Sequence, residues 1–218
     1  MFAGHFALIL ILTKKYPKVS PFVFSFGVGL LDIIFGILSY FEYEGLTLNP
    51  EAGYMGADIF GDYSHSLLGT LILSTLYGLI TRSFVPGFLS VFSHFVTDWM
   101  VHNQDISLDP FTKIKIGGTN LWGNYPMVAY ILELIVIILT GYLSSSDISH
   151  YSVIGVLLCL HYMSRPSAQL VATELGNVTK EELGMKIMIN MLIYFCVPAL
   201  IIGGILSYGQ KIKKNKQH

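Results

Sequence analysis

The 218-residue chain is strongly apolar, with 53% hydrophobic residues, 12% charged residues and a mean hydropathy of +0.60. Soluble domains carry roughly a quarter charged residues, so this composition excludes an ordinary soluble protein and predicts an integral membrane protein. The formal net charge of -1 gives no electrostatic case for nucleic-acid binding, which normally needs a basic face, so no nucleic-acid partner is expected.

Seven apolar segments follow one another along the chain and predict an all-α, polytopic transmembrane helix bundle of about six to seven helical segments. We expect helices over residues 2–13, 21–41, 65–81, 83–102, 127–143, 150–163 and 187–207. The first segment is shorter than the roughly 20 residues that cross a bilayer. Residues 1–125 and 126–218 are expected to form one compact domain, the second part adding further membrane helices and a basic tail.

Basic residues orient this arrangement, because short cytoplasmic loops collect lysine and arginine. Alternate threading of the segments puts Lys14, Lys15, Lys18, Arg82 and the tail "KIKKNK" on one side. We therefore predict that this side, including the C-terminal tail, is cytoplasmic. Most of the acidic residues then lie on the opposite side.

Ionisable residues recur within the apolar segments, where each is costly. The stretch "SHFVTDWMVHNQD" spaces two histidines and two acids by four, four and three residues, which predicts one stripe along a helix. Counting about 1.5 Å of rise per residue from the cytoplasmic ends brings further groups to the same outer half of the membrane. The predicted cluster comprises His5, Asp32, His65, His94, Asp98 and His102, with Asp105 at its mouth.

Histidine and carboxylate together are typical ligands of a divalent transition metal. We expect zinc, with iron or manganese as alternatives. Such an ion lowers the pKa of bound water to around 7 and polarises a phosphoryl or carbonyl oxygen, which predicts hydrolysis of a lipid-headgroup or other membrane-embedded ester. Asp62 or Asp105 is the candidate general base, and membrane lipids are the expected partners.

Four stretches also carry a resemblance: "GHFALIL", "GLLDIIFG", "DYSHSLLGTL" and "FSHFVTDWMVHNQDISLDP". Over about residues 1–125 the chain resembles the YdjM-like bacterial membrane family of predicted metal-dependent hydrolases and related uncharacterised membrane proteins. The resemblance implies that His5, Asp32, His65, His94 and Asp98 bind metal, and His102 and Asp105 extend the matching helix as in the related group.

The chain departs from that family at two places. "LLDIIF" keeps only Asp32 where the family often has Pro-Asp-x-Asp-His, and Asp62 stands where a further histidine is common. Fewer ligands favour a mononuclear site over a dinuclear one.

Two other classes of function stay open from the sequence. In a proton-coupled or ion-coupled transporter, the stripe of histidines and acids would form an ion path. In a structural or assembly subunit, the same groups would join membrane helices by hydrogen bonds. Further candidates are Glu133 and His161 at similar depth, Arg165 as a phosphate contact, and a glycosylation sequon at Asn177. The oligomeric state is not predicted.

Overall fold

The computed structural model describes residues 1–49, 57–112, 114–144, 147–164 and 178–216. These residues form eight helices and two short antiparallel hairpins, which confirms the predicted all-α fold class. In chain order the elements are α1 (Ala3–Lys15), α2 (Pro21–Tyr40), β1 (Gly45–Leu48), β2 (Ala57–Phe60), α3 (Leu67–Ile80), α4 (Phe84–Trp99), β3 (Ile106–Ser107), β4 (Lys115–Gly117), α5 (Leu121–Asn124), α6 (Pro126–Ser144), α7 (Ile148–Met163) and α8 (Lys180–Asn215). Arg165 and Asn177 lie outside the described residues.

Within the described ranges, three helices are long and apolar enough to cross a membrane: α2 with 20 residues, α6 with 19 and α8 with 36. Helices α3 and α7 are apolar but shorter. Proline at the first position of α2 suits a helix start, because the N–H group that proline lacks would have no partner within the helix.

The short helix α1 lies at the centre of the bundle. Phe6, Ala7, Ile9 and Leu10 are fully buried and belong to one apolar core with residues of α2, α6, α7 and α8. At the C-terminal end of the helix, Lys14 Nζ donates a hydrogen bond to the carbonyl oxygen of Leu143 at the end of α6, 2.7 Å away. Although α1 has only 13 residues, it is enclosed by longer helices.

Helix α2 packs along α4 on one side and α8 on another, and glycines permit the close approach. A Cβ atom on Gly27 would collide with the side chain of Ser90 in α4, and one on Gly36 would lie 2.8 Å from Cβ of Met191 in α8. Small residues at helix contacts are the usual means of tight packing between apolar helices. This packing sets α2 and α4 close enough to share a site.

Three predicted helix limits differ from the structure by three or more residues, and one of them is the end of α8, which lies at Asn215 and not near residue 207. Helix α4 ends at Trp99 and not near residue 102, so the predicted stripe continues on the helix only as far as Asp98. Helix α8 begins at Lys180, seven residues earlier than predicted, because Thr179 and Glu182 form a capping box at its start. The two hairpins were not predicted, because their strands have only two to four residues.

Candidate metal centre

Five side chains from four parts of the chain converge in the interior. His5 comes from α1, Asp32 from α2, His65 from the turn before α3, and His94 and Asp98 from α4. They form two overlapping groups that share His94, and within each group the potential ligand atoms lie within 4.8 Å of one another. The spacing of four residues on α4 places His94 and Asp98 on the same helix face.

The imidazole Nε2 atoms point at the two carboxylates. Asp98 Oδ1 lies 3.1 Å from Nε2 of His5, and Asp98 Oδ2 lies 3.0 Å from Nε2 of His94. Asp32 lies 3.4 Å from Nε2 of His65 through Oδ1 and 3.3 Å from Nε2 of His94 through Oδ2. The rings of His5 and His94 stack at a centroid distance of 3.7 Å. The amino nitrogen of Met1 also lies 2.9 Å from Asp98 Oδ1.

The orientation of His94 fixes its tautomer. Its Nδ1 lies 2.6 Å from the carbonyl oxygen of Val28 in α2. A carbonyl oxygen only accepts hydrogen bonds, so Nδ1 of His94 carries the proton and donates it. In the neutral ring the Nε2 atom then offers a lone pair to the cluster, and this buried atom has no hydrogen-bond partner among the described residues.

His65 is held in the same way through a serine and a buried acid. Ser64 Oγ donates to Glu44 Oε2 at 2.7 Å, so the hydroxyl oxygen accepts from Nδ1 of His65, also 2.7 Å away. The other carboxylate oxygen of Glu44 accepts the backbone N–H groups of Tyr63 and Ser64, each at 2.7 Å. Glu44 thereby fixes the turn that carries His65.

His5 follows the same rule with a threonine of α4. Its Nδ1 lies 2.6 Å from Oγ1 of Thr97, whose hydroxyl donates to the backbone carbonyls of Ser93 and His94. The Thr97 oxygen therefore accepts the Nδ1–H of His5. In the neutral form, all three histidines of the cluster thus turn the lone pair of Nε2 inward. Hydrogen bonding of the outer ring nitrogen is the usual arrangement around metal-binding histidines.

This donor set fits a divalent metal ion. Three Nε2 lone pairs that face two carboxylates repel one another unless a cation or extra protons lie between them. Ligand bonds of about 2.0 to 2.1 Å in tetrahedral geometry separate the ligand atoms by about 3.3 Å. The closest nitrogen-to-oxygen distances in the cluster, from 3.0 to 3.4 Å, bracket that separation. His5, His94 and Asp98 could hold an ion, as could Asp32, His65 and His94.

One edge of the cluster is more accessible than the rest. The side chains of His5, His94 and Asp98 are at most 6% exposed, whereas those of His65 and Asp32 are 14% and 17% exposed. A small molecule would therefore reach the cluster past Asp32 and His65.

The structure does not bring His102 and Asp105 into either of these groups. They lie beyond the end of α4, where His102 Nδ1 and Asp105 Oδ1 are 2.9 Å apart. The His102 ring packs on Trp122 of α5, with ring centroids 4.3 Å apart. These two residues form a separate His–Asp pair after the helix.

Asp62 lies in a second separate contact. Its Oδ1 accepts hydrogen bonds from Ser107 Oγ and from Lys115 Nζ, the latter at 3.1 Å. Lys115 Nζ also lies 2.6 Å from Ser107 Oγ. These bonds connect the turn before α3 with the hairpin of β3 and β4.

Sequence reasoning missed the residues that orient the histidines. The sequence predicts no role for Glu44 or Thr97. Position offers a weak signal for Thr97, which follows His94 by three residues and so lies on the same helix face. Glu44 carries no such signal, because a long loop and a hairpin separate it from His65 in sequence.

Comparisons with protein-family models, with curated proteins and with solved structures found no match to this chain. Fold and site therefore define the class: a helical bundle with membrane-length helices that holds a buried cluster of three histidines and two aspartates.

Proposed function

We propose that the protein is a membrane-embedded, divalent-metal-dependent hydrolase that acts on the ester of a lipid headgroup. One observation carries the proposal: the three cluster histidines each use Nδ1 in an outward hydrogen bond and turn Nε2 toward Asp32 and Asp98. Zinc suits a set of imidazoles and carboxylates best, with iron or manganese as alternatives. The resemblance of residues 1–125 to the YdjM-like family agrees with the same activity.

The chain's own residues would hold the ion and admit the substrate. A bound divalent ion supplies activated water and polarises the ester oxygen. His5, His94 and Asp98 provide the most deeply buried ligands, and Asp32 and His65 form the edge that the substrate approaches. Asp105 is one candidate general base. It would act with His102, whose Nδ1 lies 2.9 Å from Oδ1 of Asp105. Asp62 is retained as the other candidate.

The proposed orientation puts the cluster in the outer half of the membrane. The ends of α1 and α6 meet through Lys14 and Leu143, and the start of α7 and the end of α8 meet through Asp147 and Lys213, 2.5 Å apart. This basic end is the proposed cytoplasmic side. His5 lies nine residues before Lys14 on α1, which is about 14 Å along the helix. The substrate would then approach from the non-cytoplasmic leaflet.

Packing between the cluster and the basic end favours a reaction over transport. The core residues Phe6, Ile9 and Leu10 of α1 are fully buried and meet apolar side chains such as Phe24 of α2. A proton or ion path needs polar groups along its length. A cluster that is accessible along one edge, past Asp32 and His65, suits a hydrolase.

The first test is the metal content of detergent-purified protein, measured per chain by plasma mass spectrometry. We expect about one zinc, iron or manganese ion in the wild type and none in the double variant His94→Ala and Asp98→Ala. His150→Ala is the matched control, because His150 is a buried histidine next to Asp147 at the basic end. A wild type that is metal-free after purification without chelator would refute the metal site.

The second test is hydrolysis. Metal-loaded protein in mixed micelles would be screened against phosphate and carboxylate esters of long-chain lipids, with product release measured by mass spectrometry. We expect turnover of at least one class, abolished in the His94 and Asp98 double variant. Bound metal without turnover of any ester would leave ion transport or a structural role as the better explanation.

A further inference from the structure

Glu133, a buried acid of α6, contacts the first turn of α1. Its Oε1 accepts the backbone N–H of Phe2 at 2.6 Å and that of Gly4 at 3.0 Å. The residue is only 4% exposed. It belongs to residues 126–218, the part of the chain that the family resemblance does not cover.

The start of α1 needs such a partner. The first four N–H groups of a helix have no acceptor within the helix, and the preceding residue, Phe2, provides no side-chain cap. An unpartnered N–H group in an apolar interior is costly. A carboxylate at this position both accepts the free N–H groups and complements the positive end of the helix dipole. Glu133 therefore caps α1 from a neighbouring helix.

A third helix fixes the carboxylate. Glu133 Oε2 accepts the Nδ1–H of His161 in α7 at 2.7 Å. The His161 ring stacks on Tyr130 of α6 with a centroid distance of 3.9 Å. Glu133 is thus held between α1 and α7, so it cannot swing away from the helix start without losing both sets of contacts.

His5 follows Gly4 directly and is the residue that α1 contributes to the cluster. Its Nε2 lies 3.1 Å from Asp98 and its Nδ1 lies 2.6 Å from Thr97. We propose that Glu133 is a positioning residue for the metal centre. By capping α1 it fixes the position of this helix along its axis, and therefore where His5 contacts Asp98. His161 holds Glu133 in place. The proposal rests on the proposed function in one respect, that the cluster binds metal.

The test compares Glu133→Ala and Glu133→Gln with wild type. Cobalt(II) titration followed by visible absorption reports both affinity and ligand geometry. Loss of a group that orients a metal ligand typically weakens metal binding by about 10- to 100-fold. Because Glu133 acts on His5 through the start of α1, we expect at least a 10-fold loss and an altered spectrum in Glu133→Ala. Glu133→Gln should fall between, because the amide oxygen can still accept the two N–H groups.

Ser144→Ala is the matched control. Ser144 is a buried polar residue of the same helix, and its hydroxyl bonds to the carbonyl of Thr140. We expect wild-type cobalt affinity and an unchanged spectrum in this variant. A folded Glu133→Ala protein with wild-type affinity and spectrum would overturn the positioning role, because a merely structural contact would change the melting temperature alone.

Deuterium exchange of residues 2–8 separates this proposal from the proposed function. If the wild type binds no cobalt, the metal-dependent activity fails, but the exchange measurement still tests the cap. Faster exchange of these amides in Glu133→Ala than in Ser144→Ala supports capping of α1 by Glu133. Equal exchange in the two variants overturns it.

Discussion

His94 donates its Nδ1–H to the carbonyl oxygen of Val28, 2.6 Å away on the neighbouring helix α2. This bond ties the orientation of the shared histidine to the spacing of α2 and α4. Asp32, which faces Nε2 of the same ring, follows Val28 by one helical turn. Both sides of the His94 ring are therefore set by one helix.

The first prediction distinguishes two histidines that the sequence predicts as metal ligands: His65, before the start of α3, and His102, after the end of α4. His65→Ala should lose bound metal, because His65 lies 3.4 Å from Asp32 inside the cluster. His102→Ala should retain it, because His102 pairs with Asp105 and packs on Trp122. Metal content per chain measures both. Equal loss in the two variants would return His102 to the ligand set.

The second prediction concerns the hydroxyl that orients His65. Ser64→Ala removes the acceptor of the Nδ1–H group and should weaken metal binding by about 10-fold or more. Ser66→Ala is the control, since Ser66 accepts the N–H of Gly69 at the start of α3. Its loss should cost about 1 kcal/mol of stability and leave metal affinity unchanged. Competitive titration with a chromophoric chelator gives the metal affinities. Similar affinities for the two variants would contradict the role of Ser64 in orienting His65.

The third prediction tests the contact between α2 and α4. A Cβ atom on Gly27 would collide with Ser90, so Gly27→Ala should force the helices apart and destabilise the protein by about 1 to 3 kcal/mol. Gly204→Ala in α8 is the control, because a Cβ atom there meets nothing within 4 Å. Alanine is the better helix former, so this variant should be neutral or slightly stabilising. Thermal unfolding in detergent compares the two, and a melting temperature of Gly27→Ala at or above the control's would disprove the close contact.

The fourth prediction is a pH dependence at the basic end. Burial alone would raise the pKa of Asp147, but hydrogen bonds from His150, Lys213 and Ser149 outweigh burial and hold this pKa well below its ordinary range. A carboxyl group with a lowered folded-state pKa stabilises the fold above its unfolded pKa of about 4, and this stabilisation is lost as the pH falls toward the folded value. Asp147→Asn should therefore lower the melting temperature at pH 7.

The melting-temperature difference between wild type and Asp147→Asn should be similar at pH 7 and pH 5 and should narrow by pH 3. Differential scanning fluorimetry in detergent measures it. A difference that stays constant down to pH 3 would show that the ionised carboxylate contributes no stability to the start of α7.

The central residues of the cluster were predictable because their spacing follows simple helix geometry. His94 and Asp98 are four residues apart, and a constant rise per residue brought Asp32 and His5 to matching depths. The structure brings these side chains together with His65. Their role as metal ligands stays a prediction.

The end of α4 was not predictable from local pattern, since distant residues terminate the helix. Thr119 donates its N–H to the carbonyl of Trp99, and Asn120 donates to that of His102. These contacts replace the next helical turn, so His102 leaves the stripe that its spacing predicted. Glu44 was not predictable for a related reason: its contact with Ser64 depends on the pairing of β1 with β2, which lie between the two residues in sequence.

Enclosure of α1 has a consequence for how the protein is made. The helix is synthesised first, yet its walls include α6 and α7, and its start is capped by Glu133. A nascent chain ending near residue 125 would contain all five residues of the cluster but neither α6 nor α7. Because α6 and α7 enclose α1, we expect the contact of His5 with Asp98 to become fully ordered only when these later helices have been synthesised.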